Sequence, residues 1–252
     1  MAIPLNSNLR FPVLLFDLGS TLIYFDGDWP AVMAEGQAAL VSRLLAGGLA
    51  LDAADFSPAF QKRLEAYFVQ RERELVEHTT AAILRTMLAA SGYPEVPDGL
   101  VKDALQAMYR ASQACWHPEV ETLPALEALK QRGYRLGMIS NAADDADVQC
   151  LVDQAGLRGY FDVILTSAAQ GIRKPHPRIF QAALATWDAA PSQAVMVGDT
   201  LGADIQGARD LGIFSVWLTR RAELPADPLL AIQPDATLEH VGELPALLDA
   251  LG

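Results

Sequence analysis

The chain has 252 residues, 51% of them hydrophobic and 20% charged, with a formal net charge of -12. This describes a globular chain long enough for one large domain or two modest ones and excludes a disordered one. The negative charge repels a phosphate backbone, so nucleic acid is not an expected partner, while a local cationic pocket is still allowed.

Cys115 and Cys150 are too few and too unpatterned for a disulfide framework or a zinc site. Arg10 interrupts the N-terminus where a secretory leader would be apolar, and no apolar run approaches the roughly 20 residues of a membrane span. A soluble protein of the reducing cytoplasm, with no membrane partner, is the expectation.

The first element is the apolar run Val13-Leu14-Leu15-Phe16, which ends on Asp17 and passes into Leu18-Gly19-Ser20-Thr21-Leu22. A short continuous apolar run suits a buried strand of a parallel sheet, and in such sheets ligands gather beyond the carboxyl ends of the strands. Tyr24 to Pro30 reads as a turn-rich hinge, and from there to about Cys115 the periodicity is helical. Leu40, Val41, Leu44 and Leu45 form one stripe, stopped by Gly47-Gly48. Ser57-Pro58 reads as a helix start ahead of Phe60, Leu64, Tyr67 and Phe68. Ile83, Leu84, Met87 and Leu88 form a stripe closed by Ser91-Gly92-Tyr93-Pro94, and Leu105 and Met108 belong to a last helix. From Glu119 onward strands and helices alternate, with strands at 135–140, 161–166, 194–199 and 214–219. The fold class is therefore α/β, a Rossmann-like parallel sheet in a three-layer core (1–24 and 119–252) with an all-helical domain (25–118) inserted over the strand ends.

Polar residues close several of these strands. Ser140-Asn141, Lys174-Pro175, and Gly198-Asp199 with Asp204 would join Asp17 around one pocket. Three carboxylates close together call for a cation, and hard oxygen ligands favour magnesium. A cation, an ammonium and backbone N–H groups suit a phosphoryl group attacked in line by a carboxylate.

In these four motifs and their order the chain resembles the haloacid dehalogenase-like hydrolases, with a helical cap inserted after the first motif as in their subfamily I. The resemblance implies that Asp17 is a nucleophile that becomes an aspartyl phosphate. Thr21 and Ser140 would hold phosphate oxygens, Asn141 would offer mainly its backbone N–H, and Lys174 would neutralise nucleophile and phosphate. Magnesium would take the Asp17 carboxylate, the Gly19 carbonyl and Asp199, with Asp204 orienting metal-bound water. The implied activity is a magnesium-dependent phosphatase acting on a small phosphorylated metabolite.

One position departs from the family pattern. Its phosphatases usually carry a second Asp two residues after the nucleophile, as general acid and base, where this chain has Gly19. General acid-base catalysis is worth 10² to 10⁴-fold, on the order of 3 to 5 kcal/mol of barrier. Three readings follow: a phosphatase for good leaving groups or with a substitute acid from Asp26, Asp28 or His176; a phospho-ligand-binding or regulatory homologue with little turnover; and, fitting less well, a metal-independent haloacid dehalogenase. Trp187, Trp217, Tyr67 and Phe68 read as core, and Arg220-Arg221 as a solvated strand end. Lys62, Arg63, Arg71 and Arg73 read as a charged helix face beside Glu65, Glu72 and Glu74. Neither the substrate nor the oligomeric state has a signal in the sequence.

Overall fold

The computed structural model describes residues 3–224 and 232–252. Strand β1 (Val13–Phe16) leads to β2 (Ile23–Phe25) and then to four helices, α1 (Trp29–Ala46), α2 (Ala53–Glu74), α3 (Thr80–Ala90) and α4 (Asp98–Gln113). β3 (Trp116–Pro118) returns antiparallel to β2, so the chain leaves and re-enters through a two-stranded ribbon. There follow α5 (Thr122–Gln131), β4 (Arg135–Ser140), α6 (Asp145–Gln154), β5 (Val163–Thr166), α7 (Ser167–Gln170) and α8 (Pro177–Leu184). The described chain ends with β6 (Ala194–Gly198), α9 (Gln206–Leu211), β7 (Phe214–Leu218), β8 (Ala236–Leu238) and α10 (Leu244–Leu251).

The main sheet is parallel in the order β5-β4-β1-β6-β7-β8. Side chains alternate across a strand, and β1 divides accordingly. Leu14 and Phe16 join one buried cluster with Leu126 and Leu129 of α5, Val152 of α6 and Leu248 of α10. Val13 and Leu15 join another with Ile179, Phe180 and Ala183 of α8. Helices thus cover both faces, which explains why β1 and β6 are apolar at every position rather than at every second one. The helices α1 to α4 enclose a third cluster of their own, centred on Leu40, Leu44, Phe60, Leu84 and Leu88.

Three sequence expectations are corrected. The sheet has a sixth strand, β8, whose Ala-Thr-Leu is too short and too exposed at the sheet edge to carry an apolar signature. Helix α2 begins at Ala53 rather than at Ser57-Pro58, because Asp52 caps it by accepting from the Ala54 N–H at 2.8 Å. Pro58 then removes one hydrogen bond inside the helix, and burial of Phe56 and Phe60 on either side offsets that loss. The hinge segment Tyr24 to Pro30 is also more ordered than a turn, since β2 occupies its start and α1 begins at Trp29.

The helical layer is fastened to the sheet layer by the segment between α2 and α3. Arg173 N–H donates to the Leu75 carbonyl at 3.1 Å, Glu77 N–H to the Gly171 carbonyl at 3.1 Å, and Thr80 N–H to the Ala143 carbonyl at 2.9 Å. Backbone groups of the two layers therefore satisfy one another above the carboxyl ends of the strands.

Candidate active site

The parallel register carries β1, β4 and β6 to one edge, pairing Phe16 with both Met138 and Val197. Asp17, Ser140-Asn141 and Asp199 emerge there together and line one cavity of about 830 Å³ with Gly19 and Lys174. Its upper wall comes from the helical layer and the ribbon, including Trp29, Met33, Phe68, Arg71, Met108 and Trp116. Ser20 holds the turn after Asp17 in the left-handed region, at a φ of 59°, where a non-glycine residue is strained. Its N–H donates to the Ile23 carbonyl at 2.7 Å, which ties that turn to the start of the ribbon.

Lys174 is buried, and its Nζ lies 2.6 Å from Asp17 Oδ1 and 2.6 Å from Asp204 Oδ1. Burial alone would lower its pKa, but Asp17 and then Asp204 outweigh burial and raise it. Carboxylate oxygens of Asp17, Asp199 and Asp204 all lie within 4.8 Å of one another. Burial, with Asp17 and Asp204 adding like charge, raises Asp199 to about 7. Burial also raises Asp204 to about 6, against the pull of Lys174. One ammonium does not neutralise three carboxylates, and this cluster of hard oxygens suits a divalent cation. Asp204 already faces Lys174 with Oδ1 and accepts the Thr200 N–H with Oδ2 at 3.0 Å. Asp17 and Asp199 are thus the carboxylates with oxygens left to hold a cation directly.

Glycine and a wide turn bring Asp204 in. It sits in a π-helical turn, Leu201–Ile205, and a Cβ on Gly198 would lie 2.3 Å from its Oδ2. No side chain fits at position 198 while Asp204 lies against the strand end.

Several contacts lay beyond sequence reading. The Asn141 amide clamps the Lys174 backbone from both sides, Nδ2 donating to the Lys174 carbonyl at 2.9 Å and Oδ1 accepting its N–H at 2.8 Å. The Thr21 hydroxyl donates to Asp199 Oδ1 at 3.3 Å, and Trp217 Nε1–H donates to the Asp199 carbonyl at 2.8 Å. Trp217 therefore positions a site residue as well as packing. Phe68 is partly exposed and lines the cavity instead of the core. Arg71 faces the cavity too, rather than belonging to a solvated helix face. Arg220 and Arg221 pair with Glu121 and Glu119, and the Arg221 guanidinium lies 4.3 Å above the Tyr24 ring. Far from being a free strand end, they brace the ribbon.

Asp26 and Asp28 are exposed and do not line the cavity, and the His176 ring caps α8 by accepting the Arg178 N–H at 3.2 Å. Beyond the cluster the cavity contains two carboxyls, the exposed Glu72 of α2 and Asp147 of α6, the latter raised to about 6 by burial despite a hydrogen bond from Gln113 at 2.8 Å. The space beside Gly19 is bounded by the Trp116 indole, 3.5 Å from where a Cβ would stand.

Comparison with known proteins places this geometry. The chain is 36% identical over 140 residues to a phosphoserine phosphatase of Thermus thermophilus, a match covering 55% of this chain and 53% of the relative. It is 29% identical over 248 residues to a ribulose-1,5-bisphosphate 5-phosphatase of Halopiger xanaduensis, covering 93% and 98% of the two chains. The chain thus spans about half the length of the first relative and nearly all of the second. Among solved structures, a 2-haloacid dehalogenase of Pseudomonas syringae superposes with a TM-score of 0.69 at 25% identity, covering 96% of this chain and all of that one. The model of the haloacid dehalogenase-like hydrolases matches residues 11–212, the span that holds all four strand-end motifs. With those motifs gathered at one sheet edge, the chain belongs to the haloacid dehalogenase-like hydrolase family.

Proposed function

We propose that this chain is a magnesium-dependent phosphatase for a small phosphorylated metabolite, with residues 25–118 as its cap and 1–24 with 119–252 as its catalytic core. The observation that carries the reading is the cluster of Asp17, Asp199 and Asp204 with the buried Lys174 between two of them. A haloacid dehalogenase would need the nucleophile but not three mutually repelling carboxylates. Relatives named as phosphatases agree with this choice.

In this reading Asp17 attacks phosphorus in line. Its Oδ1 is held by Lys174, which fixes the carboxylate's rotation for the attack. The ester P–O bond breaks, and water then releases phosphate from the Asp17 acyl phosphate. Ser140 lines the cavity, placed to donate to a phosphate oxygen, whereas the Thr21 hydroxyl would have to leave Asp199 Oδ1 to do so, and Asn141 keeps Lys174 in place through its amide clamp. Asp17, Asp199 and the Gly19 carbonyl would hold magnesium, with Asp204 acting through water. When bound, the ion supplies positive charge to the phosphoryl oxygens. Closure of the helical cap keeps bulk water from the acyl phosphate as it forms. The deciding experiment is a screen of phosphate release from alkyl, aryl and acyl phosphates with and without magnesium, using Asp17→Asn as blank. Magnesium-dependent release that Asp17→Asn abolishes is the expected outcome, and undiminished activity in EDTA would refute the reading.

Gly19 supports a second reading, a phospho-ligand binder with little turnover. The expected behaviour of an enzyme lacking its acid is a preference for acyl and aryl esters, whose leaving groups need no proton. Gly19→Asp would then raise turnover of alkyl phosphates by about 10²-fold or more. A Cβ at position 19 makes ordinary contact with Trp116, so the backbone there admits a side chain. No gain in a Gly19→Asp variant that still binds magnesium would rule out the missing acid as the limitation.

A further inference from the structure

Above the carboxylate cluster the same cavity is lined by the exposed Arg73 and by two shielded arginines, Arg71 of α2 and Arg173, the residue before Lys174. Both are well shielded from solvent, with side-chain exposures of 19% and 8%. Their only described acidic neighbours are Glu72 and Glu77. Arg71 lies 3.7 Å from Glu72 and 3.6 Å from Glu77, and Arg173 lies 3.0 Å from Glu72 and 3.6 Å from Glu77. Glu72 is mostly exposed, whereas Glu77 is fully buried and already engaged. Its Oε1 accepts the Tyr67 hydroxyl, and its Oε2 accepts the Ser167 hydroxyl at 2.7 Å.

The guanidinium groups are consequently short of acceptors. Arg71 Nε, Arg173 Nε and Arg173 Nη1 are buried without a hydrogen bond, and a buried unpaired donor on a charged group is expensive. Arg71 is also held in place, its guanidinium stacked 4.3 Å from the Phe68 ring. Burial and the charge of Arg71 press the Arg173 pKa downward, against the pull of Glu77 and Glu72. A guanidinium offers a planar fork of donors that matches the geometry of an oxyanion.

Building on the phosphatase reading, we infer that Arg71 and Arg173 form a second anion subsite, which selects phosphomonoesters bearing another oxyanion, a carboxylate or a second phosphate. The phosphoryl group goes to Lys174 and the carboxylate cluster, the second oxyanion to the arginine pair, and the intervening carbons lie along Phe68, Met33 and Met108. Glu77 holds the pair in register through its bonds to the cap and to Ser167 of the core, so the subsite exists only where the two layers meet.

The test uses non-hydrolysable phosphonates on the wild-type chain with magnesium, read by calorimetric titration. Phosphonoacetate and 3-phosphonopropionate carry the carboxylate, methylenediphosphonate carries the second phosphate mimic, and ethyl- and propylphosphonate carry neither. Binding of at least one doubly anionic probe about tenfold tighter than the alkyl probes is expected, the worth of one charge-assisted hydrogen bond. Which probe wins identifies the second group. Arg71→Met should bring that ratio to within about twofold, and Arg71→Lys should restore part of it. Arg173→Met serves as the second variant should Arg71→Met lose its thermal transition. Equal binding of acidic and alkyl probes, or a preference unmoved by both arginine substitutions, would overturn the inference. A preserved, arginine-dependent preference in a protein that releases no phosphate would uphold the subsite and defeat the phosphatase reading instead.

Discussion

Asn141 shows how much of a site can hang on a side-chain amide bonded to backbone alone. Its amide satisfies both backbone groups of Lys174, and Lys174 in turn holds Asp17 and Asp204. Replacing it by Leu keeps the volume and removes both bonds, each worth about 1 kcal/mol net. Asn141→Leu is expected to lower turnover by roughly 10- to 30-fold, mainly in kcat, with circular dichroism unchanged. A variant with normal kcat would show that Lys174 is held by its carboxylates alone. The Ser140-Asn141 pair was visible in the sequence, but the use of the side chain was not. Its partner is 33 residues away, and only the packing of the loop between α7 and α8 against the end of β4 brings them together.

At the scale of elements, α6 delivers Asp147 into the cavity from its first turn, where burial raises its pKa to about 6. A carboxyl whose folded pKa exceeds its unfolded one adds most stability below about pH 4 and loses that contribution as pH rises through about 6. Asp147→Asn keeps an acceptor for Gln113 and removes the buried charge. The variant should therefore be more stable than wild type at pH 8, by up to about 2 kcal/mol, with the gap closing toward pH 4 in urea titrations. A gap independent of pH would contradict the burial argument. Helix periodicity alone located α1, α3 and α4, because their apolar stripes are dictated by the same contacts that make them helices. The charged pattern around Arg71 carries a related ambiguity. A helix facing a polar cavity presents the same charged pattern as one facing water, and only the opposing wall tells them apart.

For the molecule as a whole, the carboxylate cluster links stability, pH and metal. Without a cation, Asp199 at about 7 and Asp204 at about 6 favour their protonated forms in the folded state, so their contribution is full near pH 4 and is lost as pH rises through 6 to 7. Magnesium favours the ionised forms and restores what is lost. The magnesium-induced rise in Tm is thus expected to be larger at pH 8 than at pH 5, and Asp199→Asn should abolish most of the difference. An equal rise at both pH values would place the ion elsewhere.

The sequence by itself determined the parallel sheet, the inserted helices and the four strand-end motifs, because buried apolar runs and the polar residues that terminate them are local properties of the chain. Only the tertiary structure decided that Trp116 packs beside Gly19, that Asn141 holds Lys174, and that Arg71 and Arg173 share one cavity. Those pairings join residues from 33 positions apart, Asn141 and Lys174, to 102 apart, Arg71 and Arg173. No periodicity encodes such contacts, since they follow from which strand ends meet at the sheet edge and from how the helical layer settles over them.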